Sequence, residues 1–310
     1  MRILVVGAGA TGGYFGGRLL QYGRDVTFLV RERRAQALQR TGLIMRSPFG
    51  DVTLADPPLV RATDLDQPYD LIILSCKAYG LSAAMTDFAP AVGAQTAILP
   101  LLNGMHHLDL LDQRFGPDHV LGGRCMIAAT LEADGAVHQL NHRHTLTFGE
   151  RDGSATSRMH EISLQLATAG FDARTSGTIV QDMWDKWVLL ATLAGITCLF
   201  RASVGDITAT PGGTEATLAL FGECCAVAAH ADHALREHTR KEAQTILTEA
   251  GSTLTASMMR DLVGGHPIEA EQIIGDMLAR AEAPVEWRPS VLALVATCLR
   301  AYEASRVAAE

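Results

Sequence analysis

Over the first half of the chain, short unbroken apolar runs alternate with amphipathic segments; in the second half a helical period takes over. Ile3–Val6 is continuously apolar and runs straight into glycines, which predicts a strand buried on both faces. A helix is predicted over Gly12–Gln21 and a second strand over Val26–Val30. Leu71–Ser75 and Ala97–Leu101 read as two further buried strands, with a helix near Tyr79–Phe88 between them. A hairpin is expected where GLIMRS and VTLA flank PFGD, because Pro48 and Gly50 supply turn chemistry. Leu121–Leu131, Ala136–Leu140 and Thr145–Phe148 read as three shorter strands. From about Ile179 apolar positions recur with helical spacing in 179–200, 211–235, 239–263, 267–282 and 289–305, with Gly and Pro at the breaks. The expected fold is α/β: a doubly wound parallel sheet over 1–177, then an all-α domain over 178–310.

Composition narrows the partners. A net charge of -8 and only 5% aromatic residues argue against nucleic acid, which needs a basic footprint and stacking platforms. The longest apolar run, Trp187–Phe200, falls short of the roughly 20 residues that span a bilayer, so it is expected to be a buried core helix and no membrane partner is expected. Because the apolar run starts at once and leads into glycines, no cationic leader is expected. The six cysteines are scattered without CxxC spacing and read as reduced thiols of a cytoplasmic protein. Lysine occurs only at 77, 186 and 241 among 26 basic residues. Where a cation suffices this chain uses arginine, so each retained lysine is a candidate for work that needs a transferable proton.

Gly7-Ala8-Gly9-Ala10-Thr11-Gly12 follows the first strand and opens a helix, the setting of a Rossmann-type dinucleotide turn. Gly7 serves the tight turn, Gly9 the approach of a pyrophosphate, and Gly12 the packing of helix on strand. After the second strand comes Arg31-Glu32-Arg33-Arg34. Arg31 stands about where an NAD site has its ribose-binding acid, and a guanidinium matches a 2′-phosphate, which favours NADPH. Glu32 could be that acid with the register shifted by one. Lys77 and Asn103 follow later strands and complete one expected rim at the carboxyl ends of the sheet.

The chain resembles the ketopantoate reductase (2-dehydropantoate 2-reductase) family over nearly its whole length: GAGATGG at the start, CKAY at 76–79, LLNGM at 101–105, WDKW at 184–187, then SMMRDL and GGHPIEAEQIIG. The resemblance implies a Rossmann domain joined to an all-helical domain, and NADPH-dependent reduction of a 2-oxo acid in the cleft between them. By motif it makes Lys186 the catalytic lysine and Glu269 the catalytic glutamate. It makes Asn103 and Ser257 substrate anchors, and places Arg31 and Lys77 at the cofactor. Independently, hydride addition builds charge on a carbonyl oxygen, and a nearby ammonium both stabilises it and gives up a proton.

Plainer readings stand beside these. Lys186 could be a surface lysine paired to Asp182 or to neighbours on the Asp185 side, Glu269 a first-turn helix acid, and Ser257 a helix serine bonded to backbone. The family's helix has asparagines four and eight residues beyond its lysine; here these are Leu190 and Ala194. That departure opens the alternative of a less polar 2-oxo acid. A catalytically degenerate NADP-binding sensor is the alternative of another class. His142, His144, His230, His233 and His238 lack an acidic or cysteine partner at ligand spacing, so no metal is expected. The helical face at 211–235 is a candidate homodimer surface.

Overall fold

The computed structural model describes residues 1–281 and 290–309; Glu282 and Pro289, the ends of two expected helical segments, lie outside the described residues. Two compact units form, Met1–Leu102 with His107–Val180, and Asn103–His106 with Gln181–Glu310.

In the first unit β1 (Arg2–Val6) leads through α1 (Ala10–Gln21) to β2 (Asp25–Leu29) and α2 (Glu32–Thr41). A hairpin of β3 (Leu43–Arg46) and β4 (Val52–Leu54) follows, then β5 (Leu59–Val60), β6 (Leu71–Leu74), α3 (Leu81–Phe88), β7 (Ala97–Pro100) and α4 (His106–Phe115). The unit closes with β8 (Gly122–Leu131), β9 (Val137–Gly149), α5 (Ser157–Leu166) and β10 (Asp172–Thr175). Five strands make a parallel sheet in the order β5-β2-β1-β6-β7. β6 and β7 are buried along their length and β1 at all but its first residue, which is why they read as apolar runs without alternation. On α1 the glycines bring helix and sheet close: a methyl on Gly16 would lie 2.7 Å from the Phe28 ring.

The second sheet has the order β10-β9-β3-β4, with β8 on β9. The β3–β4 hairpin forms as the sequence predicts, with Gly50 at φ +102° in its turn. The two strands expected at 136–140 and 145–148 are one, β9. Its pairing with β8 slips between Ile127 and Ala129, so residues 140–143 bulge outward and are exposed. That polar bulge is what reads as a gap in the sequence.

In the second unit α6 (Ile179–Phe200) is followed by α7 (Val204–Thr208), α8 (Gly213–His230), α9 (Glu237–Leu247) and α10 (Ser257–Val263). A π-helical turn at Glu271–Gly275 runs into α11 (Asp276–Ala279), and α12 (Val291–Ala309) ends the described chain. The expected segment 239–263 is therefore two helices, broken at 248–256. By length and composition α6 could cross a membrane, but 72% of its most apolar window is buried inside the fold. Its buried Thr192 and Thr197 donate to the Val188 and Leu193 carbonyls one turn back, so no hydroxyl is left unsatisfied.

Candidate active site

β1 and β6 are neighbours from which the chain departs in opposite directions, toward β2 and β5 on one side and β7 on the other. At such a switch point the carboxyl ends of the strands open a crevice. Ser75 staples it: its N–H donates to Val6 O at 3.2 Å, and its Oγ to Val6 O at 3.0 Å and Gly7 O at 3.1 Å. Gly7 turns the chain with φ +94°. A methyl on Gly12 would fall 2.0 Å from Ser75 Oγ, whereas one on Gly9 would meet no protein atom within 4 Å. Gly12 is thus required by packing. Gly9 faces open space.

That space is a cavity of about 780 Å³ lined by Gly7, Ala8, Gly9, Arg31, Arg61 and Lys77 among others. Ala10, Thr11, Gly12 and Asn103 are not among its lining residues. Arg31 caps the start of α2, exposed, its carbonyl accepting from Arg34 N and Ala35 N and its side chain making no hydrogen bond among the described residues. Glu32 beside it is held: Arg61 Nη1 donates to one carboxylate oxygen at 2.9 Å and Gln36 Nε2 to the other at 2.7 Å. These bonds, the Arg61 one foremost, keep the Glu32 carboxyl below its ordinary pKa. One turn into α2, half-buried Arg34 reaches back, Nε donating to Ala8 O at 2.9 Å and Nη1 to Gly135 O at 3.0 Å in the β8–β9 turn. Its Nη2 is buried without a hydrogen-bond partner. The cavity size, the open face of Gly9 and the cationic rim fit a dinucleotide.

The second unit builds a different constellation. Half-buried on α6, Lys186 donates from Nζ to Asn103 Oδ1 at 2.9 Å. Asn103 follows β7, as expected, but its side chain serves Lys186. Its carbonyl accepts from Gln272 Nε2 at 2.8 Å, and Gly104, at φ +80°, lies so close to Gln272 O that a methyl would come within 2.6 Å. Trp187, next to the lysine, donates from Nε1 to Ile273 O at 3.0 Å. One π turn therefore anchors both the lysine's helix and the asparagine loop; such turns are frequent where a site needs an irregular backbone. Asp182 and Asp185 are both engaged by Arg236, whose Nε lies 2.8 Å from Asp185 Oδ2. Glu269 is buried just before the π turn, its carbonyl accepting from Ile273 N at 3.0 Å. Ser257 is exposed at the first position of α10, and its side chain makes no hydrogen bond among the described residues. Leu190 is half-buried and Ala194 buried, one and two turns beyond Lys186 on the same helix.

Of the histidines, His144 stacks on Phe49 and bonds Tyr14 Oη at 2.7 Å, and His233 stacks on Trp184. Sequence reasoning missed Arg34, Arg61 and Gln272. Arg34 stands in the arginine cluster three residues after Arg31, a helical spacing that could have flagged it. Arg61 follows a two-residue strand and Gln272 reaches 169 residues back along the chain, so neither carries a local signal.

A parallel sheet with a glycine turn at its switch point, joined to a helical unit with a half-buried lysine on an apolar helix, defines an oxidoreductase of the nicotinamide-dependent class. Residues 3–153 match the family Ketopantoate reductase PanE/ApbA, and residues 178–303 match Ketopantoate reductase PanE/ApbA C terminal. The chain belongs to the ketopantoate reductase family. It is 36% identical over 310 residues to YkpB of Bacillus subtilis (strain 168), described as an uncharacterized oxidoreductase, covering 99% of this chain and 100% of that one. It is 27% identical over 285 residues to a 2-dehydropantoate 2-reductase of Streptococcus pyogenes serotype M1, covering 91% and 92%. Among solved structures, the 2-dehydropantoate 2-reductase of Geobacter metallireducens GS-15 superposes with a TM-score of 0.86 at 28% identity, over 97% of this chain and 99% of that one.

Proposed function

We propose that this chain reduces 2-dehydropantoate (ketopantoate) to pantoate with NADPH, Lys186 acting as the general acid. The observation that carries the reading is the 2.9 Å bond from Lys186 Nζ to Asn103 Oδ1, on an ammonium half-buried on an apolar helix. NADPH, when bound, supplies the hydride to the carbonyl carbon. The chain's residues do the rest. Gly7 and Gly9 leave room for the pyrophosphate, with Lys77 beside them, and Arg31 offers its fork to the 2′-phosphate. Asn103 takes one of the three ammonium donors and so sets the orientation of Lys186. As the carbonyl oxygen gains charge, Lys186 stabilises it and releases a proton to it. Glu269 compensates the ammonium and favours its charged form, and Ser257 binds the substrate carboxylate.

A second reading keeps the acid and the cofactor and changes the substrate. Leu190 and Ala194 continue the Lys186 helix with no hydrogen-bonding group, which suits a 2-oxo acid with an apolar side chain. Oxidation of NADPH is to be followed with ketopantoate beside branched-alkyl and aryl 2-oxo acids. Lys186→Ala is expected to lower kcat by about 10²–10⁴ while NADPH binding persists. Preference for ketopantoate supports the first reading, and turnover only of the apolar acids supports the second. No turnover of any of them, with NADPH bound, refutes both and leaves a binding protein.

A further inference from the structure

The cavity end formed by β2 and β5 carries an arginine that the reaction above does not use. The two strands pair in parallel, Phe28 opposite Leu59 and Leu29 opposite Val60, and Val30 N donates to Val60 O at 3.1 Å. Arg31 leaves β2 next to Arg61 leaving β5, and Glu32 lines the cavity with them. An acid here is the group that accepts hydrogen bonds from an unphosphorylated ribose. Glu32, however, already accepts at both oxygens, from the Arg61 guanidinium and from Gln36, and its charge is offset by Arg61. Arg61 is steadied from its other side, Nε donating to Asp64 Oδ2 at 3.1 Å.

We infer that Arg61 is a specificity-determining residue of the cofactor site: it masks Glu32 as a ribose acceptor and sets a second guanidinium beside Arg31 for a 2′-phosphate. The inference rests on the NADPH reading above and names the residue that enforces it. Two neighbouring carboxylates would repel a phosphate dianion, and Arg61 bridges both. Without it Glu32 turns from a neutralised group into a hydrogen-bond acceptor for the 2′-hydroxyl of NADH. The side chains of Arg61 and Glu32 are 53% and 59% exposed, and ion pairs that open contribute little to folding. Their replacement therefore reports on recognition.

The test measures dissociation constants and kcat/KM for NADPH and NADH with the wild-type protein, Arg61→Ala, Arg61→Lys, Glu32→Gln and the double variant Arg61→Ala/Glu32→Gln. Arg61→Ala is expected to reduce the NADPH-over-NADH preference about 10- to 100-fold, the worth of one charge-assisted hydrogen bond. Part of that change is a tighter grip on NADH in absolute terms, which mere loosening of the site does not produce. Arg61→Lys recovers part of the preference by restoring the charge without the fork. The double variant loses the gain for NADH, because the acceptor is gone. In a wild-type protein that prefers NADPH, an Arg61→Ala preference within about twofold of wild type, or an equal loss for both cofactors, overturns the inference alone. A wild-type protein that binds NADH more tightly overturns the NADPH reading itself, whatever Arg61 does.

Discussion

Gly9→Ala and Gly12→Ala separate the two duties of the glycine turn. Gly9 has φ −83° and ψ −159°, extended backbone that alanine adopts without strain, and the new methyl touches no protein atom. Lost unfolded-state entropy stabilises such a variant by about 0.4–1 kcal/mol, and the poorer N-cap offsets a few tenths of that. The melting temperature of the protein without cofactor is expected within about 2 °C of wild type. The same methyl projects into the cavity at the point where a pyrophosphate would meet the backbone. Displacing a phosphate oxygen from one backbone N–H costs about 1.5–3 kcal/mol, a rise of roughly 10- to 150-fold in the NADPH dissociation constant. Gly12 is the converse case. Its methyl would stand 2.0 Å from Ser75 Oγ and 2.2 Å from Gly7 O, and Ser75 cannot yield without giving up its bonds to the turn. Overpacking of this kind costs about 1–3 kcal/mol, of which the helix propensity of alanine returns about 0.5–1. Thermal melts without cofactor and a fluorescence titration with NADPH are sufficient. A Gly9→Ala protein that binds NADPH like wild type would falsify the placement of the pyrophosphate at this turn, and a Gly12→Ala protein that melts like wild type would refute the packing argument.

Gln272→Ala removes the donor that fixes the Asn103 carbonyl; kcat should fall about 10- to 100-fold with NADPH affinity kept, as steady-state kinetics beside a binding titration will show. Arg34→Ala frees the carbonyls of Ala8 and Gly135 together, and the KM for the cofactor should rise several-fold more than kcat falls. Buried Glu150 is held below its ordinary pKa, chiefly by hydrogen bonds from Arg158 and then by Thr156. A depressed folded-state pKa stabilises above the unfolded value near 4.3, and that contribution disappears as pH falls through the folded value. Arg158→Ala should therefore cost about 2 kcal/mol at neutral pH and progressively less in acid, a convergence visible in urea midpoints measured down to about pH 3.

What the sequence revealed followed the range of the forces involved. β1, the glycine turn and the start of α6 were legible because each is written in a few adjacent residues: an apolar run, small residues at fixed offsets, a lysine before a buried helix. The partner of Lys186 was not, since Asn103 is 83 residues away and only tertiary folding selects it. β5 escaped notice because two residues show no period, and with it went Arg61. The break within 239–263 was hidden by apolar positions that happen to keep helical spacing through an irregular stretch, where Ala256 is buried although it belongs to no helix. Leu190 and Ala194 were legible as departures from the family's asparagines, but which substrate the chain takes depends on surfaces no local pattern describes.

The π turn at Glu271–Gly275 has an evolutionary consequence. A π turn is an α-helix with one residue added, so deleting any one of those five residues restores regular winding with the helix beyond it almost in register, and what is lost is the bulge itself. Gln272 and Ile273 would then present their groups in new directions, and the asparagine loop and the lysine's helix would lose their shared anchor together. Point substitutions along α6 change one contact at a time. A change in length at 271–275 has no intermediate step, so lineages that retain the chemistry are expected to vary in the letters of this segment and never in its count.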